Sequence, residues 1–178
     1  MQWFITISNR VGGLIFAWLG PFCLIAGMAA IAGGAYALWQ SSNPRSSWHA
    51  RKWAPAIIMM CGFLLVGFTN LLNLTGATLG TTGSYGVGMS SYEQIDIGAW
   101  ANMTPVQSVV AILESFKLFW AAVGAAVCFR GVMAAIGVAK GTRRHGWGVP
   151  AVWFISGSLV ARIDQVAASL IQLLPTGP

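Results

Sequence analysis

The sequence has 178 residues, of which 56% are hydrophobic and only 8% are Asp, Glu, Lys or Arg, and its formal net charge is +6. Soluble domains carry about 25% charged residues, so ten basic and four acidic side chains are too few to cover a water-facing surface. The composition therefore excludes an ordinary soluble domain and favours an integral membrane protein.

Four long apolar segments follow one another along the chain, at about residues 11–39, 54–76, 105–139 and 149–174. A helix needs about 20 mostly apolar residues to cross the hydrocarbon core of a bilayer. The pattern predicts an all-α integral membrane fold with four transmembrane helices. Residues 1–10 mix aromatic, aliphatic and polar side chains, which predicts a short N-terminal helix lying at the membrane interface.

Lys and Arg side chains concentrate in the two short loops between the predicted spans. These residues are Arg45, Arg51 and Lys52 in the first loop, and Lys140, Arg143 and Arg144 in the second. Residues 77–104 contain neither Lys nor Arg. By the positive-inside rule, both basic loops are expected in the cytoplasm, and residues 77–104 and both termini on the opposite side.

The second half of the chain repeats the first. The matched residues are Gly27 with Gly124, Gly34 with Gly131, Pro55 with Pro150, and Gly62 with Gly157. The offset changes by two between the first and second helix of each half, and this change falls in the basic loops. The repeat predicts two tandem helical hairpins of the same orientation, residues 1–76 and 105–178, joined by the Gly/Ser/Thr-rich segment 77–104 within a single membrane domain.

Small residues recur at four-residue spacing in the first and third predicted spans. They are Ala26, Ala30 and Gly34, and then Gly131, Ala135 and Ala139. This spacing lets helix backbones approach closely within lipid. Two interpretations stay open: the stripes hold the helices of one chain together, or one of them packs against another subunit.

Five charged residues lie within the last two predicted spans: Glu114, Lys117, Arg130, Arg162 and Asp164. Ionisable groups at such depths are costly and usually face protein or water. Glu114 and Lys117 are three residues apart and can pair on one helix face, while Asp164 needs a cation from the neighbouring helix, either Lys117 or Arg130. The charges either fix the register of the second hairpin, or contact another subunit or line an aqueous path, or serve proton-coupled transport.

No arrangement of side chains indicates catalysis. The sequence has no Ser-His-Asp set, no His-Glu metal motif and no phosphate-binding loop. Cys23, Cys61 and Cys128 lie in apolar runs without the Cys-x-x-Cys spacing of metal or redox sites. We therefore expect a protein that is not an enzyme and has no metal or cofactor, with bound phospholipid as its expected small-molecule contact.

One segment resembles a known family. From Phe129-Arg130-Gly131 through the basic loop to Gly157-Ser158-Leu159, the chain is similar to small inner-membrane proteins of type IV secretion systems. These are the TraQ-like proteins of I-type conjugative plasmids and the IcmC-like proteins of Dot/Icm systems. The resemblance covers about residues 105–174, and the first half only in layout. Where that family has Gly-Gly and a later Asn, this chain has Gly157-Ser158 and Asp164.

A second resemblance concerns architecture. The chain looks like two F-type conjugative pilins in tandem, because those proteins are apolar two-helix hairpins with a basic loop. Together the resemblances imply a non-enzymatic subunit of a conjugative type IV secretion apparatus in the bacterial inner membrane, which stays in the inner-membrane complex or is extracted into the extracellular pilus.

The partners expected from these resemblances are membrane lipids, other secretion subunits, further copies in a homo-oligomer or polymer, and non-specifically the transferred single-stranded DNA. Basic loops that face a lumen would contact phosphates of nucleic acid or of lipid headgroups. The alternative is a small transporter or channel that has Arg162 and Asp164 at its site.

Overall fold

The computed structural model describes residues 2–78, 105–143 and 146–173, and within these ranges the chain is helical apart from short loops and contains no strand. The helices are α1 (Gln2–Ser41), α2 (Ala54–Val66), α3 (Phe68–Thr78), α4 (Pro105–Ser115), α5 (Lys117–Lys140), α6 (Gly148–Ala161) and α7 (Ile163–Leu173), and a 3-10 turn spans His49–Arg51. The predicted all-α class is confirmed. The predicted loop 77–104 lies almost wholly outside the described residues.

The first helix differs from its prediction. Residues 2–10 continue directly into the long apolar helix α1, so the prediction of a separate N-terminal interfacial helix is wrong. The reason is contact with protein: Asn9 is buried and donates a hydrogen bond to the Ser115 carbonyl, and Gly12 lies against the backbone of Phe119. With 40 residues, α1 is about 60 Å long at 1.5 Å per residue.

The other three predicted spans are each interrupted by one residue. α2 and α3 meet at Gly67 with a bend of 84°, α4 and α5 meet at Phe116, and α6 and α7 meet at Arg162. α2 and α6 contain 13 and 14 residues, so each is only about 20 Å long. By length and composition, two described helices could cross a membrane, or three if α2 and α3 form one span. Four spans therefore remain a prediction.

Close glycine contacts join α1 to α2 and α5 to α6. A Cβ atom added to Gly27 would lie 2.8 Å from the Gly62 carbonyl oxygen, and one added to Gly124 would lie 2.5 Å from the Gly157 carbonyl oxygen. Both helix pairs are antiparallel. In the first pair, Gly27 of α1 meets Gly62 of α2, whereas the later residue Gly34 meets the earlier residue Pro55.

The same correspondence continues toward the basic loops. An added Cβ at Gly34 would lie 3.1 Å from the Pro55 carbonyl oxygen, and one at Gly131 would lie 3.2 Å from that of Pro150. The residues matched by the sequence repeat thus make matching contacts.

The two helix pairs meet mainly through α1, α2 and α5. α1 and α5 run parallel, since Asn9 lies beside Ser115 and Gly12 beside Leu118 and Phe119. The shared core includes Cys23, Ile58, Leu65, Leu72, Ala125, Cys128, Val132 and Ile136. Large apolar side chains such as Trp18, Phe22, Ile25 and Ile155 stay exposed, which is the pattern expected of helices surrounded by lipid.

Candidate functional site

Polar side chains gather where α4 ends, α5 begins and α6 turns into α7. We call this group the polar junction: Asn9, Ser115, Lys117, Arg162 and Asp164. The break at Phe116 has a structural role here, because the Ser115 carbonyl accepts a 2.8 Å hydrogen bond from Asn9 Nδ2 of α1. The junction thus ties the first half of the chain to the second.

An ion pair forms part of the junction. Lys117 Nζ lies 3.9 Å from Asp164 Oδ2, and the Asp164 side chain is 10% exposed whereas that of Lys117 is 52% exposed. Of the two cations predicted as partners of Asp164, the structure therefore places Lys117 beside it. Glu114 is exposed in α4, and the break at Phe116 removes it from the helix of Lys117, so the predicted Glu114–Lys117 pair does not form.

Two buried polar atoms have no hydrogen-bond partner in the described part of the chain: Asn9 Oδ1 in the junction and Trp120 Nε1 beside it. Trp120 lies three residues from Lys117 on α5 and so shares its face. Arg162 is only 3% exposed. Unsatisfied buried groups cost about 1–3 kcal/mol each. The described residues contain no group of three His, Cys, Asp or Glu side chains that could hold a metal ion.

Arg130 lies apart from the junction. It is exposed on α5, and its guanidinium carbon lies 4.8 Å from the ring centroid of Trp153 in α6. This cation–π contact covers one side of the guanidinium only. Arg130 is therefore an outward-facing charge rather than a partner of Asp164.

The basic loops meet at the opposite end of the helices. Arg51 Nη1 donates to the Lys140 carbonyl oxygen at 3.2 Å, next to Gly141, whose φ of 72° lets the chain leave α5 in a left-handed turn. A cation at this position is also stabilised by the negative end of the α5 dipole. Arg45, Arg51, Lys52, Lys140 and Arg143 are all exposed here, and Arg144 lies outside the described residues.

The predicted small-residue stripes face the inside of this chain. Gly34 contacts Pro55 and Met59 of α2, and Gly131 contacts Pro150 and Phe154 of α6. Ala30 and Ala139 belong to the buried core, and Ala26 and Ala135 pack against it. The structure favours the interpretation that these stripes hold one chain together.

Three features were missed by sequence reasoning. The interruptions at Phe116 and Arg162 fall on residues that do not break helices, whereas Gly67 marks the third, because Gly is the poorest helix former after Pro. The sequence pattern predicts Asn9 in an interfacial segment, whereas it is buried and donates a hydrogen bond to the Ser115 carbonyl. The hydrogen bond from Cys128 Sγ to the Phe154 carbonyl, at 3.4 Å, joins α5 to α6, and only the proximity of the two matched helices could have suggested it.

The site thus has two poles, with Lys117 and Lys140 at opposite ends of α5. They are 23 residues apart, which is about 35 Å along a helix and close to the hydrocarbon thickness of about 30 Å.

No family model matches the sequence, and no curated protein or solved structure shows significant similarity to it.

Proposed function

We propose that the chain is a non-enzymatic membrane subunit of a conjugative type IV secretion apparatus, which builds its inner-membrane complex or its pilus. The supporting observation is the concentration of exposed cations at one end of the helices. The exposed cations of both basic loops lie together at one end, joined by the Arg51–Lys140 contact. The carboxylates in the described residues, Glu114 and Asp164, lie near the other end of α5, where Lys117 and Arg162 also lie.

Such a unit would suit the wall of a channel through which a polyanion passes. Copies arranged side by side would present a continuous cationic rim, and a phosphate backbone attracts closely spaced Lys and Arg side chains without base specificity. The exposed apolar flanks would remain in lipid or face other subunits. The resemblance of residues 105–174 to small secretion-system membrane proteins supports the same function, and the tandem-pilin layout supports its polymeric form.

Orientation gives the first prediction. We expect Ser46→Cys to be cytoplasmic and Ser90→Cys to be extracytoplasmic, because Lys and Arg are retained on the cytoplasmic side. In intact cells, a membrane-impermeant thiol reagent should label the cysteine at position 90 but not the one at position 46. The native cysteines are buried and give the unlabelled control. Cells that lack the secretion machinery must be used, since extraction into a filament would expose both loops. Labelling at position 46 alone would reverse the topology.

The second prediction tests the function itself. Arg45, Lys52, Arg143 and Arg144 are replaced together by Gln, while Arg51 is kept because it caps α5 and Lys140 is kept to maintain orientation. We expect conjugative DNA transfer to fall by at least tenfold with topology and assembly unchanged, because wall charge offsets closely spaced phosphates. Transfer frequency between donor and recipient cells is the measurement.

In the matched control, each of the same four residues is replaced by the other basic residue, Arg by Lys and Lys by Arg, so that every charge is kept. Normal transfer by the Gln variant would show that these residues serve orientation only. Unchanged transfer after removal of the whole protein would contradict the secretion function itself.

The second candidate is a small transporter or channel, and the polar junction favours it. Asp164 and Arg162 are buried, and Asn9 Oδ1 lacks a hydrogen-bond partner among the described residues, as in a site that binds a solute or water. An Asp164→Asn variant of normal abundance that loses a solute flux, with transfer unaffected, would favour this candidate.

A further inference from the structure

The repeat predicts which surfaces of the chain are still uncovered. Within one chain, α5 turns Gly124, Cys128 and Gly131 toward α6. Ala122 and Ala125 lie on other faces of α5, since successive helical residues are rotated by about 100°, and both are 0% exposed. The neighbours of α5 there are α1 and α2. α5 therefore buries one apolar face against the first helix pair.

The equivalent face of α1 is exposed. With the offset of 97 that matches Gly27 to Gly124, Ala122 corresponds to Ile25 and Ala125 to Met28. Ile25 is 65% exposed and Met28 is 57% exposed. Ala35 and Trp39, which correspond to the buried Val132 and Ile136, are also exposed. We call Ile25, Met28, Ala35 and Trp39 the α1 outer face.

A matching surface lies at the other end of the chain. On α2, Ile58, Cys61 and Leu65 are buried in the core that α5 completes. With the offset of 95 that matches Pro55 to Pro150, they correspond to Trp153, Ser156 and Val160 on α6, all of which are partly exposed. We call these three residues the α6 outer face.

We propose that the α1 outer face of one copy packs on the α6 outer face of a second copy of this chain. This contact between two copies has the same geometry as the contact that joins the two helix pairs within one copy. Because the two faces differ, the interface is head-to-tail, and it propagates into a ring or a filament rather than closing a symmetric dimer. This inference rests on the proposed function only in treating the chain as a membrane-embedded building block.

Arg130 gives independent support. Its exposed guanidinium stacks on Trp153, a residue of the α6 outer face, and it lies ten residues from Lys140, about 15 Å along α5. A guanidinium facing lipid at that depth is costly, and such groups normally face protein or water. A second copy seated on the α6 outer face shields Arg130 from lipid, so the position of this charge marks a protein-covered surface.

Oxidative cross-linking in native membranes tests the proposal. Leu65 and Val132 are buried in the same core on α2 and α5, and their equivalents on the two outer faces are Val160 and Ala35. A chain with both Ala35→Cys and Val160→Cys is expected to give a ladder of dimers, trimers and larger species on oxidation. Each single variant should stay monomeric, and co-expression of the two single variants should give dimers only. The native cysteines are buried, so the parent chain is the blank.

The matched control pairs Ala35→Cys with Leu159→Cys, since Leu159 is exposed but points about 100° away from Val160 around α6. A ladder from this control, or no ladder from the test pair, would overturn the proposal, and the second result would show that lipid covers both faces. Dimers from Ala35→Cys alone would also overturn it, in favour of a symmetric contact. The test does not depend on DNA transfer, so failure of the interface and failure of the secretion function are distinguishable.

Discussion

Gly124→Ala is expected to lower the thermal stability of the purified protein severely and to reduce the folded yield in membranes. The added Cβ would meet the backbone of Ala161, including its Cα at 2.5 Å, and the Gly157 carbonyl oxygen. Overpacking a core typically costs about 1–3 kcal/mol, and here the clash is with backbone, which cannot rotate away. We therefore expect about 3 kcal/mol, measured as a shift of the unfolding midpoint in detergent.

Gly33→Ala is the matched control for that substitution. Gly33 is also a helical glycine, but an added Cβ would meet nothing within 4 Å. The control should be neutral or slightly stabilising, because Ala favours helix over Gly by up to about 1 kcal/mol. Equal midpoints for the two variants would contradict the close approach of α5 and α6.

Removing the cation of the Lys117–Asp164 pair should destabilise the protein more than removing the anion. Asp164 is almost completely buried, whereas Lys117 is about half exposed. Lys117→Met therefore leaves a carboxylate in the interior, while Asp164→Asn leaves an ammonium group that can turn to water or headgroups. Breaking a fully buried pair costs about 3–5 kcal/mol. Exposure of Lys117 reduces this to about 1–3 kcal/mol for Lys117→Met and to less than about 1 kcal/mol for Asp164→Asn.

A double-mutant cycle on the unfolding midpoint measures the coupling between the two residues. The chain with both substitutions is expected to be more stable than Lys117→Met alone, because no unpaired charge remains at this pair. Lys140→Met, an exposed cation at the other end of α5, is the control and should change stability by less than about 0.5 kcal/mol. Strict additivity of the two effects would show that the ion pair contributes nothing.

The helical class and the correspondence of glycines between the two halves were predictable from the sequence, because both depend on residue type and spacing. Apolar runs of more than 20 residues leave few alternatives to helices. Gly27 and Gly62 of the first half match Gly124 and Gly157 of the second. Gly27 contacts Gly62, and Gly124 contacts Gly157 in the same way. Membrane placement, the number of spans and the secretion function stay predictions.

The helix interruption at Phe116 was not predictable, because it accompanies a tertiary contact rather than a residue of low helix propensity. The helix break at Phe116 accompanies the hydrogen bond from Asn9, a residue 106 positions from its acceptor Ser115. That break also moves Glu114 out of the helix of Lys117 and leaves Lys117 beside Asp164. For the same reason the continuity of α1 was missed, since the contacts of Asn9 and Gly12 lie far away in sequence.

The short length of α2 has a consequence for the kind of bilayer that suits the chain. α2 reaches about 20 Å, and α3, turned by 84°, adds little depth to it. In a bilayer with a hydrocarbon thickness of about 30 Å this is a hydrophobic mismatch of about 10 Å, at a fraction of a kcal/mol per Å. A bilayer beside α2 would thin to relieve this mismatch. A thin membrane therefore accommodates α2 better than a thick one, whereas α5, with about 35 Å between Lys117 and Lys140, matches a hydrocarbon thickness of about 30 Å.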